Sequence, residues 1–156
     1  MTAEHTGPDA IEPGARPGAV GTDGPDADGP DAGVPMALRV VDLARKLASF
    51  DERWSPRIIA ELNGQHVKIV KVEGEFAWHH HDAEDELFLV LDGWLTIDLR
   101  DRALELGPGQ LCVIPRGVEH RPRAERETHL LLFEPASTLN TGNVRNERTV
   151  QRPERI

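Results

Sequence analysis

Hydrophobic and polar positions change their period once along this chain. Between residues 37 and 56, Val41, Ala44, Leu47 and Ala48 recur at helical spacing, and Asp42 stands where an N-cap belongs. The pattern predicts a short helix over 43–50. Trp54-Ser55-Pro56 ends it, because the residue before a proline disfavours the helical region. From residue 57 the period is two. Alternation predicts strands over 57–62, 65–72, 75–81, 86–91, 94–100, 103–106, 111–114, 118–123 and 128–133. Asn63-Gly64 and Asp92-Gly93 read as tight hairpins, and Gly107-Pro108-Gly109 and Pro115-Arg116-Gly117 as further turns. About nine short strands and a single short helix predict an all-β fold, a sandwich or jelly-roll barrel. The apolar runs 87–91 and 130–132 carry no polar face, so both sides need cover from another layer or another subunit.

Composition separates the first 36 residues from the rest. They hold seven of the fourteen glycines and six of the twelve prolines, and repeat the phrase Asp-Gly-Pro-Asp-Ala at 23–27 and 28–32. Small, scattered apolar residues bury too little surface to offset the entropy of ordering, so a disordered tail is expected over 1–36. The chain then divides into a helical lead-in (37–56), a barrel (57–135) and a C-terminal extension (136–156). The tail has seven acidic residues and only Arg16 as a base, a net of −6 within the chain's −9. That balance argues against nucleic acid, which needs a basic patch. No stretch has the length or apolarity of a membrane span or a secretory leader. Cys112 has no second cysteine to pair with and sits in an apolar run, which suggests a packing role and a reducing, cytoplasmic setting.

The candidate chemistry lies at His79, His80, His81, Glu86 and the distant His120. In an extended segment alternate residues share a face, so His79 and His81 point one way and His80 the other. Asp82-Ala83-Glu84-Asp85 is polar enough to turn the chain, after which Glu86 opens the next strand facing back toward the two imidazoles. His79, His81, Glu86 and His120 form a three-imidazole, one-carboxylate set. It suits a divalent transition metal (Fe, Mn, Zn, Ni or Cu) better than calcium or magnesium.

Two stretches resemble the paired motifs of the cupin superfamily. One runs from Gly74 through His79-His80-His81 and Glu86 to Gly93. The other runs from Gly109 through Pro115-Arg116-Gly117 to His120. Gly74 lies one residue closer to the histidines than in the usual pattern, and Ala124 stands where the second motif often ends in Asn. The resemblance implies a double-stranded β-helix barrel with the metal inside, held by His79, His81, Glu86 and His120. It is similar to the small, single-domain, mannose-6-phosphate isomerase-like cupins, and a homodimer, common among cupins, is expected. The function it implies is metal-dependent oxygenation or isomerisation of a small polar metabolite; the alternative is a non-catalytic sensor or carrier. By parity, Ala77 leaves room beside the ion, Phe88 and Val90 line the cavity, and Phe76 and Trp78 pack between layers. Arg121, Arg123, His129 and Glu134 are expected as solvated or ion-paired surface residues. His5, His66 and His80 are given no role.

Overall fold

The computed structural model describes residues 40–156; the expected tail over 1–36 lies outside these described residues. The helix α1 (Leu43–Leu47) is shorter than its pattern. Asp42 caps it by accepting from the Arg45 amide at 3.1 Å. Ser49 closes it, its hydroxyl donating to the Lys46 carbonyl at 2.8 Å, as a serine at a helix end does when it competes for backbone groups.

Seven strands follow: β1 (Arg57–Leu62), β2 (Gln65–Glu75), β3 (Glu86–Asp92), β4 (Leu95–Leu99), β5 (Ala103–Leu106), β6 (Leu111–Ile114) and β7 (His120–Pro135). All pairings between these strands are antiparallel. One wall runs β1-β2-β7-β3-β6, while β4 pairs with β5 and with the first residues of β7. The alternation predicts an all-β sandwich or jelly-roll barrel, and this is the double-stranded β-helix that the resemblance implies. Two corrections bring nine expected strands to seven. Residues 76–81 are not a strand, since β2 runs through Gly74 and stops at Glu75. Segments 118–123 and 128–133 are parts of one strand, β7, which pairs with β4 through His120–Arg123 and with β3 through His129–Phe133. Its charged middle, Glu125 and Arg126, is exposed at the bend and interrupts nothing.

Asp92-Gly93 is a third correction, because β3 and β4 do not pair. The chain there steps across β7. Gly93 has φ +85°, and an added Cβ would lie 2.5 Å from the Thr128 hydroxyl, which accepts from the Trp94 amide at 3.1 Å. Only glycine allows both that backbone angle and that approach.

The main core fills the space between the walls. Val70, Val72, Phe88, Val90, Leu130 and Leu132 come from one wall, and Leu95, Ile97 and Leu106 from β4 and β5. Each fully buried side chain of this kind contributes about 1.5–3 kcal/mol. A second, smaller cluster of Phe50, Ile59 and Ile69 lies on the outer face of β1 and β2. Val41, Leu43 and Leu47 pack over it. The lead-in thus covers the back of the sheet, and β2 is buried on both faces. Cys112 packs half-buried against the main core.

Candidate metal centre

His79 belongs to no strand, yet its backbone is held like one. Its amide donates to the His120 carbonyl at 3.0 Å, and the His120 amide returns the bond at 2.9 Å. This isolated antiparallel bridge sets the two imidazoles side by side, ring centres 4.3 Å apart. The His81 carbonyl accepts from the Gly117 amide at 2.7 Å. Gly117 occupies the third place of the Pro115–Val118 turn with φ +78°, a conformation that favours glycine. Asp85 joins the two motifs. Its carboxylate accepts from the Arg116 amide at 2.9 Å and from the Arg116 guanidinium at 3.1 and 3.3 Å. Those bonds hold the Asp85 carboxyl below its ordinary range.

The structure brings His79, His81, Glu86 and His120 together, all buried, with one ligand atom from each within 4.8 Å of the others. Ligands about 2.1 Å from a shared ion are separated by at most about 4.2 Å, so a small contraction suffices. The tautomers suit the role. His79 Nδ1 faces the Ala77 carbonyl at 3.0 Å and His120 Nδ1 faces the Val118 carbonyl at 2.9 Å. Each ring then presents Nε2 inward, the outer-shell arrangement that metal-ligating histidines use. Glu86 Oε2 lies 3.2 Å from His81 Nε2 and 3.4 Å from His120 Nε2. Even so, all three atoms are buried without an aligned hydrogen bond. Orphaned donors and acceptors are rare in a folded interior, and here they converge on one point. The donor set fits a transition-metal ion.

Electrostatics agree. Burial, joined by the charge of neighbouring His120, lowers His79 to about 4, so its ring is neutral at ordinary pH. Burial also pulls on His81, but contact with the Glu86 carboxylate outweighs it and raises the ring's value. Glu86 is fully buried, which favours the neutral acid. Its two imidazole neighbours win and hold it well below the ordinary carboxyl range. Cys112 is pushed up to about 11 by burial and by the charge of Glu86, so it stays a thiol.

A narrow cavity of about 40 Å³ adjoins the ligands. Its wall is Trp54, Pro56, Val70, Val72, Phe76, Phe88, Pro122, Leu130, Leu132 and Asn140, with His79 and Glu86 at its floor. Phe88 lines it as its parity predicts, whereas Val90 lies deeper in the core. Phe76 is a wall residue and Ala77 is not, which reverses the expectation. The strand parity that assigned them does not apply to residues 76–81. Phe76 stands edge-on to His79 at 5.4 Å. Trp54, read from sequence only as a helix stop, stacks on Phe76 at 4.8 Å and donates from Nε1 to the Glu73 carbonyl at 2.8 Å. Trp78 lies outside, under the Arg100 guanidinium at 3.9 Å. His80 points away, its Nε2 3.0 Å from Asp82.

Glu134 is the largest departure among the polar residues. It is 1% exposed, and Lys68, equally buried, donates to its Oε1 at 2.7 Å. Burial, then the charge of Glu86, raises its carboxyl to about 7 despite Lys68. The sequence signal was present. Lys68 shares parity with Val70 and Val72, and Glu134 with Leu130 and Leu132, so both fall on the inward face. The other polar expectations hold. Arg121 and Arg123 pair with Asp98, and His129 with Glu127.

Comparison with known proteins agrees with this fold. The family described as "Cupin domain" matches residues 66–134. A cupin-2 domain containing protein from Shewanella frigidimarina is 46% identical. The likeness covers 65% of this chain and 99% of that one, with a TM-score of 0.62. A Neisseria meningitidis protein is 31% identical and matched over 63% of this chain and 100% of its own, with a TM-score of 0.58. The Bacillus subtilis protein YdbB, described as uncharacterized, is 40% identical over 77 residues, 49% of this chain and 68% of that protein.

Proposed function

The chain belongs to the cupin superfamily, and from that premise we propose a metal-dependent enzyme that oxidises a small molecule. His79, His81, Glu86 and His120 would hold one divalent transition-metal ion, Fe, Mn, Zn, Ni or Cu. The observation that carries the reading is the convergence of four buried ligand atoms, three of them orphaned, within 4.8 Å. Such an ion, when bound, supplies a Lewis acid with open positions for oxygen ligands. The chain's own residues would do the rest. The Ala77 and Val118 carbonyls orient two imidazoles, and the Asp85–Arg116 clamp fixes the loop before Glu86. Phe76, Phe88 and Leu132 exclude water from one side.

The wall favours oxidation over isomerisation of a sugar phosphate. Among the described residues lining the cavity there is no Arg or Lys to meet a phosphate, and no acid or base besides the ligands themselves. The substrate would be compact, with an oxygen group for the ion and an apolar body for the wall. Besides the ligands, Asn140 and the Trp54 indole N–H, which is bonded to the Glu73 carbonyl, are the polar side-chain groups among the described lining residues. The same sparse wall suits a sensor or carrier that binds without turnover. Protein loaded in turn with each metal should hold about one ion per chain. The Fe-loaded form should consume oxygen with one of a panel of 2-oxo acids, diketones and catechols. Ligand binding without oxygen uptake would favour the carrier. Metal content no higher than in His120→Ala would end both readings.

We propose a second copy of the chain as its macromolecular partner. Leu111 and Val113 are 57% and 51% exposed, and β6 pairs them with Leu89 and Leu87 of β3. Leu131 and Phe133 of β7 continue the same outer face. Exposed apolar patches of this kind mark interfaces. Among the described residues no helix is long and apolar enough to cross a membrane. The unpaired Cys112 supports a reducing compartment such as the cytoplasm.

A further inference from the structure

We propose that the segment after β7, through Asn143 and Gly142, positions the ligand His79 and is therefore a working part of the metal site. The proposal rests on the metal-binding reading above. The segment lies beyond the family match, which ends at residue 134.

Residues 79–81 run outside any strand, so their backbone groups need partners from elsewhere. His120 takes both groups of His79, and the turn at Gly117 takes the carbonyl of His81. Both groups of His80 go to one residue, Asn143. Its side-chain Oδ1 accepts from the His80 amide at 2.9 Å, and its own amide donates to the His80 carbonyl at 3.0 Å. Gly142 makes that approach possible. It has φ +52°, and an added Cβ would lie 2.1 Å from the His80 carbonyl oxygen and 3.2 Å from Cδ2 of the His79 ring. Backbone and ligand ring are both in contact range.

The segment is itself anchored. Thr141 is fully buried, its hydroxyl bonded to the Val144 carbonyl at 2.7 Å and to Thr149 at 2.9 Å. Asn140, on the cavity wall, accepts from the Val150 amide and donates to the Arg148 carbonyl, both at 2.8 Å. Further on, the Ile58 amide donates to the Glu154 carbonyl at 2.8 Å, and the Ile156 amide to the Ile58 carbonyl at 3.1 Å. A strap so fastened has little freedom, and neither has the histidine beneath it.

The test titrates Co(II), whose visible bands report ligand geometry, into the metal-free full chain. Removing an outer-shell partner typically costs 10–100-fold in affinity. Asn143 grips the backbone between two ligands and not a ligand ring, so Asn143→Ala should weaken Co(II) at the lower end of that range, about tenfold, and alter the bands. Asn143→Asp keeps the acceptor for the His80 amide and should recover affinity to within about threefold. Asn143 is exposed, so the metal-free melting temperature should barely change. Hydrogen exchange at the His80 amide should quicken in Asn143→Ala alone. Unchanged Co(II) affinity and bands in Asn143→Ala would overturn the inference and leave the metal site standing. A wild-type chain that binds Co(II) no better than His120→Ala would overturn both.

Discussion

Replacing Lys68 by Met should damage the fold far more at pH 8 than at pH 5. Lys68 and Glu134 are each 1% exposed, their charged atoms are 2.7 Å apart, and Glu134 Oε2 has no hydrogen-bond partner. Met keeps most of the lysine's volume and removes its charge. The carboxylate is then buried without a counter-ion, a loss of about 3–5 kcal/mol where the group is ionised. In the wild type, burial and Glu86 already raise Glu134 to about 7, against 4.5 for an ordinary glutamate. Removing the cation raises it further. A carboxyl whose folded value lies above its unfolded one keeps its proton on folding. Its stabilising contribution is complete below pH 4.5 and is lost as pH climbs through the folded value. At pH 5 the variant should therefore lose only about 1–2 kcal/mol, the worth of the missing hydrogen bond. Urea denaturation of the metal-free chain at both pH values reads the difference. Adding Glu134→Leu should return stability to near the wild type, since apolar replacement of a whole buried pair is often neutral. Equal damage at pH 5 and pH 8, or a double variant as weak as Lys68→Met, would show that lost packing, not an unpaired carboxylate, sets the cost.

Three further outcomes follow from the site and its surface. His79→Ala and His120→Ala should each weaken Zn(II) by more than about 100-fold in a competition assay, while His80→Ala, whose ring faces Asp82, should stay within about threefold. Metal affinity should fall with a slope approaching about tenfold per pH unit below the raised value of His81, because the ion must displace that ring's one proton. Glu86, held low, adds nothing to this slope near neutrality, and an affinity flat between about pH 5.5 and 7.5 would contradict the assignment. Val113→Asp should shift the chain toward monomer in analytical ultracentrifugation, since Val113 is half exposed on the apolar sheet face; an unchanged sedimentation coefficient would rule that face out.

The parts of the fold that sequence made legible are those specified by neighbours along the chain. β5 and β6 match their expected bounds because alternation and flanking turns define them locally. Residues 118–133 read as two strands because a bend in a strand and a turn between strands look alike when both are charged. Only tertiary pairing distinguishes them: β2 pairs with both halves along one edge, while β4 and then β3 take the other edge. Lys68 and Glu134 were missed for a related reason. Each alone reads as a surface charge despite its inward parity, and the pairing of β2 with β7 is what sets the two beside each other. Asn143 and Gly142 carry no local signal at all, because His80 lies 63 residues before Asn143.

The two-residue parity of His79 and His81 held although its premise failed. No strand runs through 76–81, so no ladder enforces alternation there. It is enforced residue by residue instead. His79 is bonded to His120 of β7, His80 to Asn143 of the strap, and His81 to the turn at Gly117. Successive residues are gripped by different elements, so successive side chains face different ways. A ladder would have tied these positions to their neighbours along a whole strand, whereas separate anchors let each be adjusted alone. This is why loss of the His80 anchor should disturb the metal ligand beside it without unfolding the barrel.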